Sequence, residues 1–343
     1  MMTTCSHEGA PSLIDVARRS HVSTATVSRI LSGKRKKNDA TQLAVRKAAK
    51  ELNYLGNHAA RALRRDQSDT IGLIVPQISN PFFAALAEEL ENVVNAAGQE
   101  MLICASHMEP DIERERITSL LERNVNGIII IPCDERQSVE ACRMVGQVPL
   151  VQVDQRVDME DCDWVGIDDR QAMRLIVEHL VDRGAQSLAF IGSSTNNSSA
   201  RDRLEGFNEQ CARHRLPTRS EWTLLKDYSV EWGREATRSI ISSSRRSSIS
   251  MPDAIVCAND LIALGVLDAL RADHRSVPGE VMVTGFDDTL FGQLSEPALT
   301  TIAQPVARIA QEAVRLITLS RNASPRTYSQ IALMPNLVAR DSA

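Results

Sequence analysis

The strongest constraint on how this 343-residue chain folds is an alternation that begins at Thr70. Short apolar runs recur from there: "TIGLIV", "EMLICAS", "GIIII", "PLVQVD", "WVGID", "SLAFIG", "AIVCA" and "VMVTGF", with helically patterned stretches between them. The runs do not alternate polar with apolar residues, so each strand is expected to be buried on both faces, as in a parallel sheet covered by helices. The clearest helical stretches are Gln171–Arg183, Ala200–His214, Val230–Ser242 and Leu261–Arg271, with one more strand near Trp222–Leu225. "NNSSARDR" and "SSSRRSSIS" read as loops. The strands are too many for one comfortable sheet. The pattern predicts two doubly wound α/β lobes with a cleft between them.

The first 55 residues have a different texture. "SLIDVARRS" puts Leu13, Val16 and Ala17 on one face with Ser12 as N-cap, and "HVS" breaks it. "TATVSRIL" puts Val27, Ile30 and Leu31 on one face and ends at Ser32-Gly33. "ATQLAVRKAAKELNYL" is a third amphipathic helix, with Leu43, Val45, Ala48, Leu52 and Leu55 as expected inner residues. Two helices joined by a short turn and buttressed by a third make a helix-turn-helix.

Charge separates the two regions. Residues 1–66 hold thirteen basic and five acidic residues, net +8, whereas the remainder holds 26 against 39, so the formal total of -5 conceals a basic head on an acidic body. Seven cysteines, an odd number with no C-x-x-C pair, argue against a disulfide framework or zinc site and fit a reducing cytoplasm. No apolar leader and no run of about 18 apolar residues is present, so neither a secretory signal nor a membrane span is expected. No G-x-S-x-G elbow, phosphate-binding glycine loop or H-E-x-x-H motif occurs, and the seven histidines are scattered, so neither enzymatic activity nor a cofactor is expected.

"SLIDVARRSHVSTATVSRIL" resembles the headpiece of the LacI family of bacterial transcriptional regulators, and "ELNYLGNHAARAL" is similar to that family's hinge. The resemblance continues to about Arg340. It implies a multi-domain chain: an all-α helix-turn-helix headpiece (1–56), a hinge helix or linker (57–69), and an effector-binding core (70–343) of two α/β doubly wound parallel-sheet lobes like the type I periplasmic sugar-binding proteins. The N-lobe is expected to comprise about 70–165 and 302–325, and the C-lobe 166–301 and 326–343.

In a helix-turn-helix the start of the second helix faces base edges in the major groove. Thr24 and Ala25 hold those positions, and Arg29, one turn on, can grip a guanine edge with two hydrogen bonds. Ser23, Thr26 and Ser28 suit phosphate contacts, and Lys34, Arg35, Lys36 and Lys37 add sequence-independent attraction. The resemblance implies that Asn57–Leu63 forms a hinge helix over the minor groove, with Ala60 small enough to approach its floor and a Leu63 pair wedged into a central base step. Gly56 stands where the family commonly has proline, which loosens the linker.

The same resemblance implies a ligand cleft formed by Asn80, Phe82, Phe83, Asp154, Arg201, Tyr228, Asn259, Asp287 and Gln304. Amides, carboxylates and a guanidinium satisfy vicinal hydroxyls in both directions, while aromatic faces cover the apolar side of a sugar. Asn80 before Pro81 also reads as a helix N-cap, the phenylalanines as core, and Asp287 as a turn cap. Gln155 intervenes where the family often places arginine directly after the aspartate. The implied protein is a cytoplasmic homodimeric repressor of a pseudo-palindromic double-stranded operator. Its effector is expected to be a pentose or related polyol, with no membrane partner. A nucleoside, a phosphorylated sugar or a partner protein in the effector's place, and activation in place of repression, stay open. No leucine heptads trail the body, so a dimer rather than a tethered tetramer is expected.

Replacing Leu63 with alanine should weaken specific operator binding by about tenfold or more while leaving non-specific binding nearly unchanged. Titrations on operator and scrambled duplexes check this; equal loss on both removes the wedge.

Overall fold

A computed structural model describes residues 11–31, 39–52, 54, 69–194, 196–217, 219–247, 250–322 and 325–343. The chain divides into two compact units, residues 1–67 and 68–343.

Among the described residues, the first unit contains three helices whose starts are set by local capping. Helix α1 (Leu13–Ser20) opens on a capping box. Ser12 Oγ accepts from the Asp15 N–H at 3.3 Å, and the Asp15 carboxylate accepts from the Ser12 N–H at 2.9 Å. His21, at φ 55°, ends it in the left-handed region. Helix α2 (Thr24–Leu31) starts where Ser23 Oγ accepts from the Thr26 N–H at 3.2 Å. Helix α3 (Ala40–Glu51) starts where Asp39 accepts from the Gln42 N–H at 3.1 Å. Val16, Ala17, Val27, Ile30, Val45, Ala48 and Ala49 form the core, with Leu13, Leu31, Leu52 and Tyr54 against it. Leu43 is not an inner residue as expected but 67% exposed, because α3 buries the face through Gln42, Val45 and Ala49, from which Leu43 is rotated away. Ser32, Gly33, Lys34 to Lys37 and Leu55 to Leu63, hinge positions Asn57, Ala60 and Leu63 included, lie outside the described residues.

Among the described residues, the second unit contains two parallel sheets. The first runs β11 (Gln330–Leu333), β5 (Asp163–Ile167), β4 (Leu150–Val153), β3 (Gly127–Ile130), β1 (Thr70–Val75), β2 (Glu100–Ala105). Its two faces follow the period-2 geometry of strands. Ile71, Leu73 and Val75 join a core with α4 (Pro81–Ala96) and α12 (Val306–Asn322). Ile74, Ile128 and Ile130 join another with α5 (Pro110–Glu122) and α6 (Ser138–Arg143). The second sheet runs β7 (Thr223–Lys226), β6 (Leu188–Ser193), β8 (Ala254–Cys257), β9 (Met282–Thr284). Around it pack two helix pairs, α7 (Asp169–Asp182) with α8 (Ser198–Arg213), and α9 (Val230–Ser247) with α10 (Asp260–Ala272). A short helix α11 (Leu290–Gln293) follows β9, and β10 (Thr301–Ala303) pairs antiparallel with β12 (Asn336–Val338).

Three expectations need correction. Residues 326–343 do not all belong to the second lobe: β11 joins the first sheet, Ile331 opposite Val165. Only the final stretch returns, where Ser342 donates to the Val283 carbonyl at 2.6 Å. The pairing joins strands more than 160 residues apart, and no local pattern encodes it. "NNSSARDR" is not a loop throughout: Asn197 Oδ1 accepts from the Ala200 N–H at 2.8 Å and starts α8 at Ser198. "SSSRRSSIS" is largely helical, since α9 continues to Ser247.

The α9–α10 pair is in backbone contact. A Cβ on Gly265 would lie 2.0 Å from the Val230 carbonyl oxygen, and one on Gly233 would lie 2.1 Å from that of Ile262. Gly265→Ala should force the helices apart and destabilise the body by about 2 kcal/mol or more, which a shift of the urea midpoint reports; an unchanged midpoint refutes the contact.

Candidate functional site

Two sites emerge, one in each unit. In the first unit, burying Val27 and Ile30 turns the opposite side of α2 outward, so Ser23, Thr24, Ala25 and Arg29 are exposed and Thr26 and Ser28 half-buried. Ser23 Oγ already caps α2 and lies 2.9 Å from Thr26 Oγ1, so these two hydroxyls first order the helix start. The result is a helix N-terminus with its partial positive charge, two small exposed side chains and an arginine one turn on.

In the second unit, a cleft of about 270 Å³, partly open to solvent, is lined by Asn80, Phe82, Phe83, Asp154, Gln155, Ser199, Arg203, Tyr228, Asn259 and Asp287. Both lobes contribute: Asn80 and the phenylalanines start α4, Asp154 follows β4, Ser199 and Arg203 lie on α8, Asn259 precedes α10, and Asp287 follows β9. Capping and lining coexist in the two asparagines. Asn80 Oδ1 accepts from the Phe82 N–H at 3.0 Å and Asn259 Oδ1 from the Ile262 N–H at 2.9 Å, which leaves each amide nitrogen as donor. Phe82 and Phe83 are buried and packed together, centroids 5.6 Å apart, so they are both core and cleft wall. Gln155 Oε1, Ser199 Oγ and Tyr228 OH are buried and make no hydrogen bond within the described residues.

Arg203 organises the cleft electrostatically. It is 4% exposed, donates to Asp169 Oδ1 at 2.7 Å and to the Ala258 carbonyl at 2.8 Å, and stacks 3.6 Å over the Phe286 ring. Burial opposes its charge, but Asp169, Tyr228, Asp287 and Asp154 around it hold its pKa above the usual value. Burial pushes the Asp154 carboxyl up to about 7 despite Arg203 nearby, and the Asp169 and Asp287 carboxyls shift upward for the same reason.

The structure brings together Asn80, Phe82, Phe83, Asp154, Tyr228, Asn259 and Asp287 from the sequence reading. It corrects Arg201. That residue pairs with Glu135 and with Asp202, at 3.1 Å, a third exposed and outside the cleft lining. Two residues further along a helix is a rotation of about 200°, and it is Arg203 that shares the inner face with Ser199, Gly206 and Phe207. The buried face of α8 was the signal that distinguishes the two arginines. Gln304 stands behind the cleft and donates to Asp287 Oδ1 at 2.9 Å, so it braces a lining residue rather than forming the wall. Gln155, Ser199 and Arg203 were absent from the sequence reading; Gln155 was marked only by its place beside Asp154.

Residues 12–57 match the family model described as bacterial regulatory proteins, lacI family, and residues 177–343 match the periplasmic binding protein-like domain. The HTH-type transcriptional regulator GalR of Salmonella typhimurium is 30% identical over 329 residues, which cover 96% of this chain and 94% of that protein. The ribose operon repressor of Halalkalibacterium halodurans is 29% identical over 332 residues, 96% of each chain. The lac repressor dimer bound to operator and the anti-inducer ONPF superposes with a TM-score of 0.86 at 26% identity, covering 97% of this chain and 99% of that one. These relatives are transcriptional regulators, not enzymes.

The Asp154 shift carries a sign. Its folded carboxyl is raised from 3.8 to about 7, so the folded chain holds the proton more tightly than the unfolded one. The stability this contributes is fully present below pH about 4 and is lost as the pH rises to about 7. Asp154→Asn should therefore reduce the fall in urea midpoint between those limits; an unaltered slope refutes the assignment.

Proposed function

The chain belongs to the lacI family of bacterial regulatory proteins and is a DNA-binding transcriptional regulator, and from that premise we propose a cytoplasmic homodimeric repressor of a pseudo-palindromic operator, released or tightened by a sugar-like effector, a pentose or related polyol, held between the lobes. The reading rests above all on the cleft constellation: two carboxylates, two capping asparagines and a neutralising arginine together with two phenylalanines. Hydroxyls both donate and accept, and that set meets them in both senses while ring faces cover the C–H side. The unpartnered Gln155, Ser199 and Tyr228 atoms add polar groups that a polyol can satisfy.

On the DNA side, Thr24, Ala25 and Arg29 would read base edges, while Ser23, Thr26, Ser28 and Lys34 face phosphates and Asn57, Ala60 and Leu63 occupy the minor groove. Exposed apolar residues support self-association. Leu102 and Ile103 lie on the edge strand β2, and Leu290, Phe291 and Leu294 lie on and just after α11. A ligand that prefers one arrangement of the lobes shifts operator affinity by that preference, which is all the coupling requires.

Thermal denaturation with D-ribose, D-galactose, further free pentoses and hexoses, nucleosides and sugar phosphates tests the effector class. A free sugar should raise Tm in a concentration-dependent way and change operator affinity in the same preparation. A response to nucleosides or phosphates alone replaces the polyol, and no response to any of them removes it. Arg29→Ala should cost about 1–3 kcal/mol of operator binding and relax the preference at one base pair.

A further inference from the structure

Asp260 adjoins the cleft residue Asn259 yet is absent from the lining. It is fully buried, and no cation hydrogen-bonds its carboxylate among the described residues. Its partners are all donors from two other segments. Oδ2 accepts from the Thr289 N–H at 2.7 Å and from Thr289 Oγ1 at 2.9 Å, and Oδ1 accepts from Thr301 Oγ1 at 2.7 Å. The Asp260 N–H donates to the Phe286 carbonyl at 2.9 Å. The turn after β9 closes around this carboxylate so tightly that a Cβ on Gly285 would lie 2.2 Å from Oδ1, and one on Gly292 would lie 3.0 Å from Oδ2. Those glycines leave the space the carboxylate fills.

Between the two glycines stand Asp287 at φ 101° and Asp288 at φ 51°, both in the left-handed region that non-glycine residues seldom adopt. Such conformations persist only where surrounding contacts over-determine them. Here the contacts come from one side through β10 and its neighbour, where the Gly285 N–H donates to the Thr300 carbonyl at 2.9 Å and the Asp287 N–H to that of Ile302 at 2.8 Å. Gln304 and Arg340 donate to the Asp287 and Asp288 carboxylates at 2.9 and 2.6 Å, and Asp260 holds the turn from the far side. Thr301 lies on β10, where the chain passes from the second sheet toward α12 of the first lobe. One carboxylate thus binds the turn bearing a cleft aspartate to a lobe crossover.

We infer that Asp260 is a positioning residue for the effector: it holds Asp287 in its strained, cleft-facing conformation and ties that turn to the crossover at Thr301. The inference rests on the cleft being the effector site. Asp260→Ala removes both acceptor oxygens and the three hydrogen bonds they accept. Thr301→Val removes the crossover tether at nearly constant shape. Asp260→Asn keeps an oxygen for Thr289 and can donate to Thr301 Oγ1, so it should rescue most of the loss.

The test is hydrogen exchange on the full-length protein, followed by calorimetry with D-ribose and D-galactose. In Asp260→Ala and Thr301→Val, peptides within 285–304 should exchange about tenfold faster while β6 and β8 keep their protection, and the sugar that binds the parent chain should bind about tenfold more weakly. Asp260→Asn should stay within about threefold of the parent in both measurements. Unchanged exchange in 285–304, or a rise shared equally by β6 and β8, overturns the proposal, as does sugar affinity that ignores Thr301→Val. If Asp260→Ala does not fold, Thr301→Val and Thr289→Ala carry the same readouts. If the parent binds neither sugar, the exchange pattern alone decides whether Asp260 positions the turn, and the polyol reading is decided separately by the wider sugar panel.

Discussion

The body of this protein depends on one buried cation. Arg203 sits among Asp154, Asp169 and Asp287, in direct hydrogen bond with the second, and is the one cationic residue lining the described cleft. Leaving carboxylates unneutralised in a low-dielectric site is costly, so this guanidinium is what lets an acid-rich, hydroxyl-matching cleft exist beside the apolar core that both sheets share. Its reach is also structural. It joins α8 to α7 through Asp169 and to the end of β8 through the Ala258 carbonyl, and it covers the Phe286 ring next to Asp287. Cleft and fold of the second lobe are therefore one construction.

The same economy marks the groups that start helices. Asn80 and Asn259 cap α4 and α10 with one amide atom and line the cleft with the rest of the side chain. Ser23 caps α2 at the exposed tip of the helix-turn-helix. In each case the helix N-terminus needs an oxygen acceptor, and the residue that supplies it also stands where a ligand or phosphate would meet it. Structural and functional readings of these residues do not compete.

What was legible in the sequence follows from range. The capping box at Ser12 and Asp15, the inner face through Val16, Val27 and Ile30, and the βα alternation after Thr70 are all encoded within a few residues. Where the reading failed, a longer-range contact decided. Arg201 and Arg203 are equally polar, and only the packing of α8 against the second lobe turns the latter inward. Leu43 looks apolar enough for the core, yet α3 meets its neighbours along another face.

By itself the sequence determined a basic helix-turn-helix head and an acidic body of two parallel-sheet lobes, while the residues expected around its cleft came from the family resemblance. Hydrophobic period, caps and charge are local properties of the chain. Tertiary structure alone decided which arginine neutralises the cleft, that Gln330–Leu333 returns to the first sheet beside Asp163–Ile167, and that Gly285 and Gly292 make room for the Asp260 carboxylate. Each of those depends on groups distant in sequence meeting in a desolvated space, where burial and pairing energies act and local pattern carries no information.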